Sequence, residues 1–281
     1  MRCEPGNSPI FRLTAWLLLL LGAGLFVFPF FWMVSTSLKT LQQAMVVPPI
    51  WWPAQPKWSN YLETIAAMRH FWLYVGNTLT ICVLAVLGAV FSSAVAAYGF
   101  SRIEWPGRDK VFVLVMASMM LPFAVTIVPV FALFRELGWT GTLKPLWVPC
   151  YLAPAFHVFL LRQFFLSLPR DLNEAARIDG CSEWRIFWQI ILPLSRPALA
   201  VVALFQFMAS WNDFFGPLIY LTDPRQFTLS LALQNFQSQH SGTQWGYLMA
   251  ASVLVTAPVI LLYFLCQKNF TEGLATTGGK N

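Results

Sequence analysis

Polar positions in this chain are bunched, and between the bunches run five long apolar stretches: Leu13 to Leu38, Phe71 to Ser101, Val111 to Phe134, Pro197 to Leu221 and Trp245 to Cys266. A bilayer's hydrocarbon core is about 30 Å thick and takes about 20 helical residues to cross, so each stretch is long enough to span it as a helix. A sixth, Pro145 to Leu161, is shorter and contains Pro149 and Pro154. Its prolines free backbone groups that lipid cannot satisfy, so it belongs inside the bundle, against helices that supply partners. The pattern predicts an all-α, polytopic membrane protein with six transmembrane helices and both termini on one side.

Composition agrees with that solvent. Hydrophobic residues make up 57% of the 281, aromatics 16% and charged residues only 11%, far too apolar for a globule in water. Of the 18 Lys and Arg, only Lys39, Lys57, Arg69, Arg135, Lys144 and Arg225 fall outside if the N-terminus is cytoplasmic. The positive-inside bias therefore favours cytoplasmic termini. The formal charge of +6 is then a topological signal, and no nucleic-acid partner is called for. Met1 to Val34 reads as a first span rather than a signal peptide, since its apolar run is too long and lacks a small-x-small cleavage site before Lys39.

Candidate chemistry is sparse. Cys3, Cys82, Cys150, Cys181 and Cys266 have no metal-ligand spacing, and His70, His157 and His240 stand apart from any Ser/His/Asp or His/Glu set. No catalytic residues, metal or cofactor are expected, and there is no Gly-x-x-x-x-Gly-Lys-Ser/Thr loop to hold a nucleotide. In the second span the small residues Ala85, Ala89, Ser93 and Ala97 run beside Gly88, Ser92 and Ala96. Such rows admit close helix approach and place this span centrally. Pro48-Pro49-Ile50-Trp51-Trp52-Pro53 reads as an interfacial anchor.

One polar segment is unlike the others. From Pro169, Arg170 to Asp179 are good helix formers, and Gly180 suits the left-handed residue that ends a helix. A second helix follows with Ser182 as N-cap and Glu183 in its first turn, and Trp184, Phe187, Trp188 and Ile191 share one face by their spacing. Pro193 stops or kinks it before the next span. Two readings stand on these residues: a compact knob with a small surface at Ala175 and Ala176 ringed by Glu174, Arg177 and Asp179, made to enter a groove on another protein, or an amphipathic hairpin lying on the membrane surface.

The spacing Glu174-Ala175-Ala176, three residues, Gly180, nine residues, Ile190-x-Leu192-Pro193 resembles the signature of ABC importer permeases. Asn77-Thr78-Leu79, Ala96 to Arg102, Pro106-Gly107-Arg108, Phe159 to Phe165, Trp211 to Leu218 and Gln267 to Leu274 are similar to the maltose-type carbohydrate permeases. The resemblance implies the type I permease fold, with the coupling helix docking on an ATP-binding subunit through Glu174, Ala175, Ala176, Arg177, Asp179 and Gly180. It implies as partners a second permease subunit in a heterodimer, two ATP-binding subunits that hydrolyse ATP separately, and an extracytoplasmic solute-binding protein. The chain then divides into a cytoplasmic N-terminus (1–12), a first transmembrane helix (13–38), an outer loop (39–70), a permease core (71–267) carrying the coupling loop 163–196, and a cytoplasmic tail (268–281).

In the fifth span Gln206, Ser210, Asp213 and Pro217 fall at i, i+4, i+7 and i+11, one polar stripe on an apolar helix. With Asn212 it is a candidate solute path, and the competing reading is that Asn212 and Asp213 only bond neighbouring helices. The spans contain no Lys or Arg, which favours a neutral sugar or polyol over glycerol phosphate, with Trp211 and Phe214 offered to apolar sugar faces. The expected function is an ATP-driven carbohydrate permease subunit that is not itself an enzyme. The alternatives are a glycerol-phosphate permease of the same kind, or a secondary transporter coupling an ion through Asp213.

Overall fold

The computed structural model describes residues 9–239 and 244–278, and among them every regular element is a helix. His240 and Cys3 lie outside the described residues, as do positions 279–281 of the tail, and Cys266 has no described side chain. The order is α1 (Pro9–Ser37), α2 (Leu41–Met45), α3 (Ser59–Ala67), α4 (Phe71–Ser101), α5 (Arg108–Ser118), α6 (Phe123–Glu136), α7 (Lys144–Trp147), a 3₁₀ turn (Val148–Leu152) and α8 (Ala155–Ser167). It continues with α9 (Asp171–Ile178), α10 (Glu183–Ile186), a π-helical stretch (Phe187–Ile191), α11 (Leu192–Leu194), α12 (Arg196–Trp211), α13 (Phe215–Tyr220), a 3₁₀ turn (Pro224–Gln226), α14 (Leu229–Gln239) and α15 (Trp245–Gly278). Among the described residues four helical runs are long and apolar enough to cross a membrane, and six if two bent pairs count as one span each.

The chain forms two compact units, 70–232 with 259–281 and 1–69 with 233–258. In the larger unit α4 is the axis. Ala85, Ala89, Ser93 and Ala97 are fully buried, and α8 and α12 pack against this helix along with the 3₁₀ turn after α7. Small residues let those backbones come close enough for dispersion to replace the hydrophobic effect, which lipid does not supply. At Gly88 the approach is tightest, because a Cβ there would overlap the Tyr151 ring.

Three expected helices are corrected. Val111 to Phe134 is not one continuous helix: α5 and α6 meet at 98° across Met119 to Pro122. Pro122 disfavours helical backbone at Leu121 and brings no N–H, which is sufficient cause for the break. The Pro145 to Leu161 segment does pack on α4, and it breaks at Ala153, whose φ is +54. A left-handed alanine costs about 1–2 kcal/mol; here it precedes Pro154, which penalises the right-handed alternative, and its N–H donates to Ser92 Oγ at 3.1 Å. The fifth span ends early, with α12 stopping at Trp211 and the chain restarting as α13 at Phe215.

In the smaller unit, no residue from Phe11 to Val34 is buried. Burial begins where α1 ends: Asn60 Nδ2 donates to the carbonyls of Ser37 (2.8 Å) and Lys39 (2.9 Å), satisfying groups the helix end leaves free. Trp51 packs on Phe28 and Trp32 at 5.9 and 6.0 Å between centroids, and Trp52 stacks on Phe31 at 6.2 Å. The tryptophan cluster is thus seated on the first helix. Glu63 accepts from Lys57 Nζ at 2.8 Å and from the Tyr247 hydroxyl.

Candidate functional site

Residues 170–195 build a helical hairpin whose turn follows from local chemistry. The N–H of Cys181 bonds the carbonyl of Ala176 (2.9 Å) and that of Gly180 the carbonyl of Arg177 (3.0 Å), the paired closure that requires a left-handed residue between them. Gly180 supplies it with φ +77. Ser182 Oγ then accepts from the Arg185 N–H at 3.3 Å and starts α10. Beyond it the helix widens, and Leu192 N–H reaches back five residues to Phe187. Pro193 has no N–H to continue the ladder, and at Ser195 the chain turns by 79° into α12.

One expectation about this hairpin is corrected by burial. Ala175 and Ala176 do not form one small surface: Ala175 is exposed, while Ala176 enters the core with Ala94, Ala97, Ile186 and Phe187. Trp184, Phe187 and Trp188 do pack on one another, with ring centroids 5.4 to 6.0 Å apart; Phe187 and Ile191 are buried and the two tryptophans stay about half exposed at the rim of that face. The exposed surface of α9 includes Asp171, Leu172, Glu174, Ala175 and Arg177 with Asp179 just past its end, joined by Ile178 at 87% exposure. Ile178 was not singled out from sequence, although an apolar side chain closing a polar helix is a signal that could have found it.

Two clamps bind the hairpin to the spans. Arg102, just past the end of α4, is 8% exposed, and its Nη2 donates to the carbonyls of Phe165 and, at 2.9 Å, Leu168. These carbonyls close α8, the partially negative end of that helix, so a buried cation is met there without a carboxylate. Nη1 reaches Asn173 Oδ1 of α9 at 3.3 Å. On the other side Glu183 holds Arg177 Nε at 2.6 Å with one oxygen and the Tyr98 hydroxyl at 2.6 Å with the other. Tyr98, Arg102, Asn173 and Glu183 were missed from sequence, because their partners lie on other helices. A displacement of α9 would therefore be passed to α4 and α8 through bonds and a continuous core.

The fifth-span stripe is reorganised. Gln206 and Ser210 remain on α12, with Gln206 Nε2 donating to Ser210 Oγ (3.0 Å) and to Cys150 Sγ (3.4 Å). Ser92 joins the same region, donating to the Cys150 carbonyl at 3.2 Å. Asp213 and Pro217 are off that helix. The Asp213 carboxylate turns to the start of α13 and accepts the Gly216 N–H at 3.0 Å, while its carbonyl accepts from Ser230 Oγ at 2.6 Å. Asn212 is exposed and donates to the Met208 carbonyl at 2.8 Å. Trp211 is 3% exposed and stacks on Phe207 at 5.4 Å, so within this chain it offers no face to a sugar; Phe214 is half-buried.

Four helices long and apolar enough to cross a membrane, two bent pairs beside them and a clamped polar hairpin before α12 define a polytopic membrane protein among the described residues, and comparison specifies which. Residues 88–275 match the family of binding-protein-dependent transport system inner membrane components, and the chain belongs to that family. Among its relatives, the trehalose/maltose transport system permease MalG of Thermococcus litoralis is 36% identical over 92% of this chain and 94% of that one. The arabinooligosaccharides transport system permease AraQ of Halalkalibacterium halodurans is 32% identical over 90% and 91%. A chain from the crystal structure of a bacterial ABC transporter that imports the acidic polysaccharide alginate superimposes with a TM-score of 0.82 at 23% identity, covering 95% of this chain and 98% of that one.

Proposed function

We propose that this chain is a carbohydrate permease subunit of an ATP-driven importer. It pairs with a second permease, receives a sugar, oligosaccharide or polyol from a solute-binding protein, and is moved by two ATP-binding subunits that do the hydrolysis. The observation that carries the reading is the α9 hairpin. Its exposed Glu174, Ala175, Arg177, Ile178, Asp179 and Gly180 form a projecting surface, and its buried side is bonded to α4 through Arg102 and Glu183. Such an element transmits a push. In this reading residues 163–196 and both termini face the cytoplasm, as the distribution of Lys and Arg favours, with 71–267 as the permease core.

The solute path is assigned to Gln206 and Ser210 on α12, with Asn212 at its end. Asp213 contributes there by capping α13 and shaping the turn. An engaged carboxylate of this kind gives an ion-coupled carrier little to work with. Reconstituting the transporter with its solute-binding protein in vesicles tests the reading. Uptake of labelled maltose or arabinooligosaccharide should require ATP on the side of the hairpin and survive an uncoupler. Uptake that is driven by an ion gradient without ATP would overturn it.

A further inference from the structure

Beside the hairpin, at the junction between the end of α4 and the start of α5, lies a cavity of about 290 Å³ lined by Arg102, Arg108, Arg170 and Arg177 with Glu104 and Glu174. Asn173 also lines it. Two donors at this cavity are buried and have no partner, Arg102 Nε and Asn173 Nδ2, on side chains that are 8% and 4% exposed. The Asn173 amide is oriented by its neighbour, because Oδ1 faces the Arg102 guanidinium at 3.3 Å, which turns the N–H₂ away from it. Orphaned buried donors call for an acceptor. Of the four arginines, Arg108 is paired with Asp109 and Arg177 with Glu183, while Arg102 is met only by carbonyls and the Asn173 amide and Arg170 only by a weak pair at 3.8 Å; an anion is the acceptor these two cations favour, and planar guanidinium forks match the oxygens of a phosphate.

We infer that this cavity is a binding site for a phosphate group at the root of the α9 hairpin, held by Arg102, Asn173 and Arg170. It lies where the second span ends and the third begins, the level at which lipid phosphates meet basic residues. The phosphate is therefore that of an anionic lipid headgroup or a free phosphate. Arg170, 65% exposed and 3.8 Å from Glu104, is placed to exchange that weak surface pair for the anion. Occupancy would tie α9 to the end of α4 and set the stiffness of the hairpin, whether or not the hairpin couples to ATP hydrolysis.

The full chain in phosphatidylcholine nanodiscs, titrated with inorganic phosphate, tests the free anion. The same chain in nanodiscs containing phosphatidylglycerol, with retained lipid read by native mass spectrometry, tests the headgroup. Asn173→Asp keeps the oxygen that meets Arg102 but replaces the orphaned donor with negative charge, and Arg170→Ala removes an exposed cation without touching the core. Saturable binding in either arm, weakened roughly tenfold by each variant, supports the site, and the arm that shows it names the source. Binding unchanged in both variants overturns the proposal. Absence of saturable binding in both arms also overturns it, leaving water or an acidic side chain of a docked subunit to meet the two donors.

Discussion

Arg177 Nε lies 2.6 Å from Glu183 Oε1, and this pair closes the hairpin across the Gly180 turn. Both side chains are more than a third exposed, so the ion pair by itself contributes only about 0–1 kcal/mol. The second bond of the same carboxylate, from the half-screened Tyr98 hydroxyl, is the stronger one, on the order of 1.5–3 kcal/mol for a charged acceptor. Tyr98→Phe should therefore loosen the hairpin more than Arg177→Gln. Hydrogen exchange of residues 171–186 measures this, and faster exchange in the Arg177 variant than in Tyr98→Phe would reverse the ranking.

Glu174 and Ile178 both point away from the core. Glu174→Lys and Ile178→Asp are expected to leave membrane abundance within about twofold of wild type, since exposed substitutions usually change stability by no more than about 0.5 kcal/mol. Sugar uptake and substrate-stimulated ATPase activity should fall together. Full stimulated ATPase activity in either variant would remove that residue from the coupling surface.

Gly180 has open space around the position of a Cβ, so any penalty there is conformational. Gly180→Val should cost roughly 1–3 kcal/mol and displace α10, whereas Gly180→Asn, which tolerates positive φ, should retain most of the transport. Equal loss in both would point to a steric requirement of a docked partner instead.

At Gly88 the argument is purely steric. A Cβ would strike the Tyr151 ring, and overpacking of this kind costs about 1–3 kcal/mol. Gly88→Val should lower the amount of folded permease recovered from membranes, and Gly88→Val with Tyr151→Ala should restore part of it. No rescue in the double variant would place the defect elsewhere.

Between α1 and α4 the Lys57 ammonium and, from α15, the Tyr247 hydroxyl hold the Glu63 carboxyl down at about 2, against an ordinary value near 4.5. A depressed acid contributes its stability above the unfolded value and loses it as pH falls toward the folded one. Thermal unfolding of the permease should therefore show a contribution that declines between about pH 4.5 and 2, and Glu63→Gln should flatten that part of the profile. An unchanged profile would mean that the Glu63 bonds persist in the unfolded chain.

How much of this was legible in sequence depended on whether a signal was local. Phe71 to Ser101 emerged with its bounds intact, since an uninterrupted apolar run with small-residue rows leaves one solution. Gly180 and Ser182 were equally readable, because caps act within a few residues. The breaks at Met119 to Pro122 and at Asn212 to Phe214 were hidden inside apolar stretches that satisfy the length rule for a span. Proline marked the first, but nothing in the pattern marked Asp213 as a cap rather than a stripe residue. Arg102 was counted as one more basic residue at a span end. Its burial depends on carbonyls more than sixty positions away, which no periodicity encodes.

The unburied first helix has a consequence for how this sequence can drift. A helix that closes its own backbone bonds and buries no residue from Ala15 to Phe26 within this chain is constrained there mainly by length and apolarity. Its order of residues carries almost no information. Shuffling those positions should yield a chain that inserts and folds as before, whereas the same shuffle applied to Ala85–Ala97 should destroy the axis on which the larger unit is assembled.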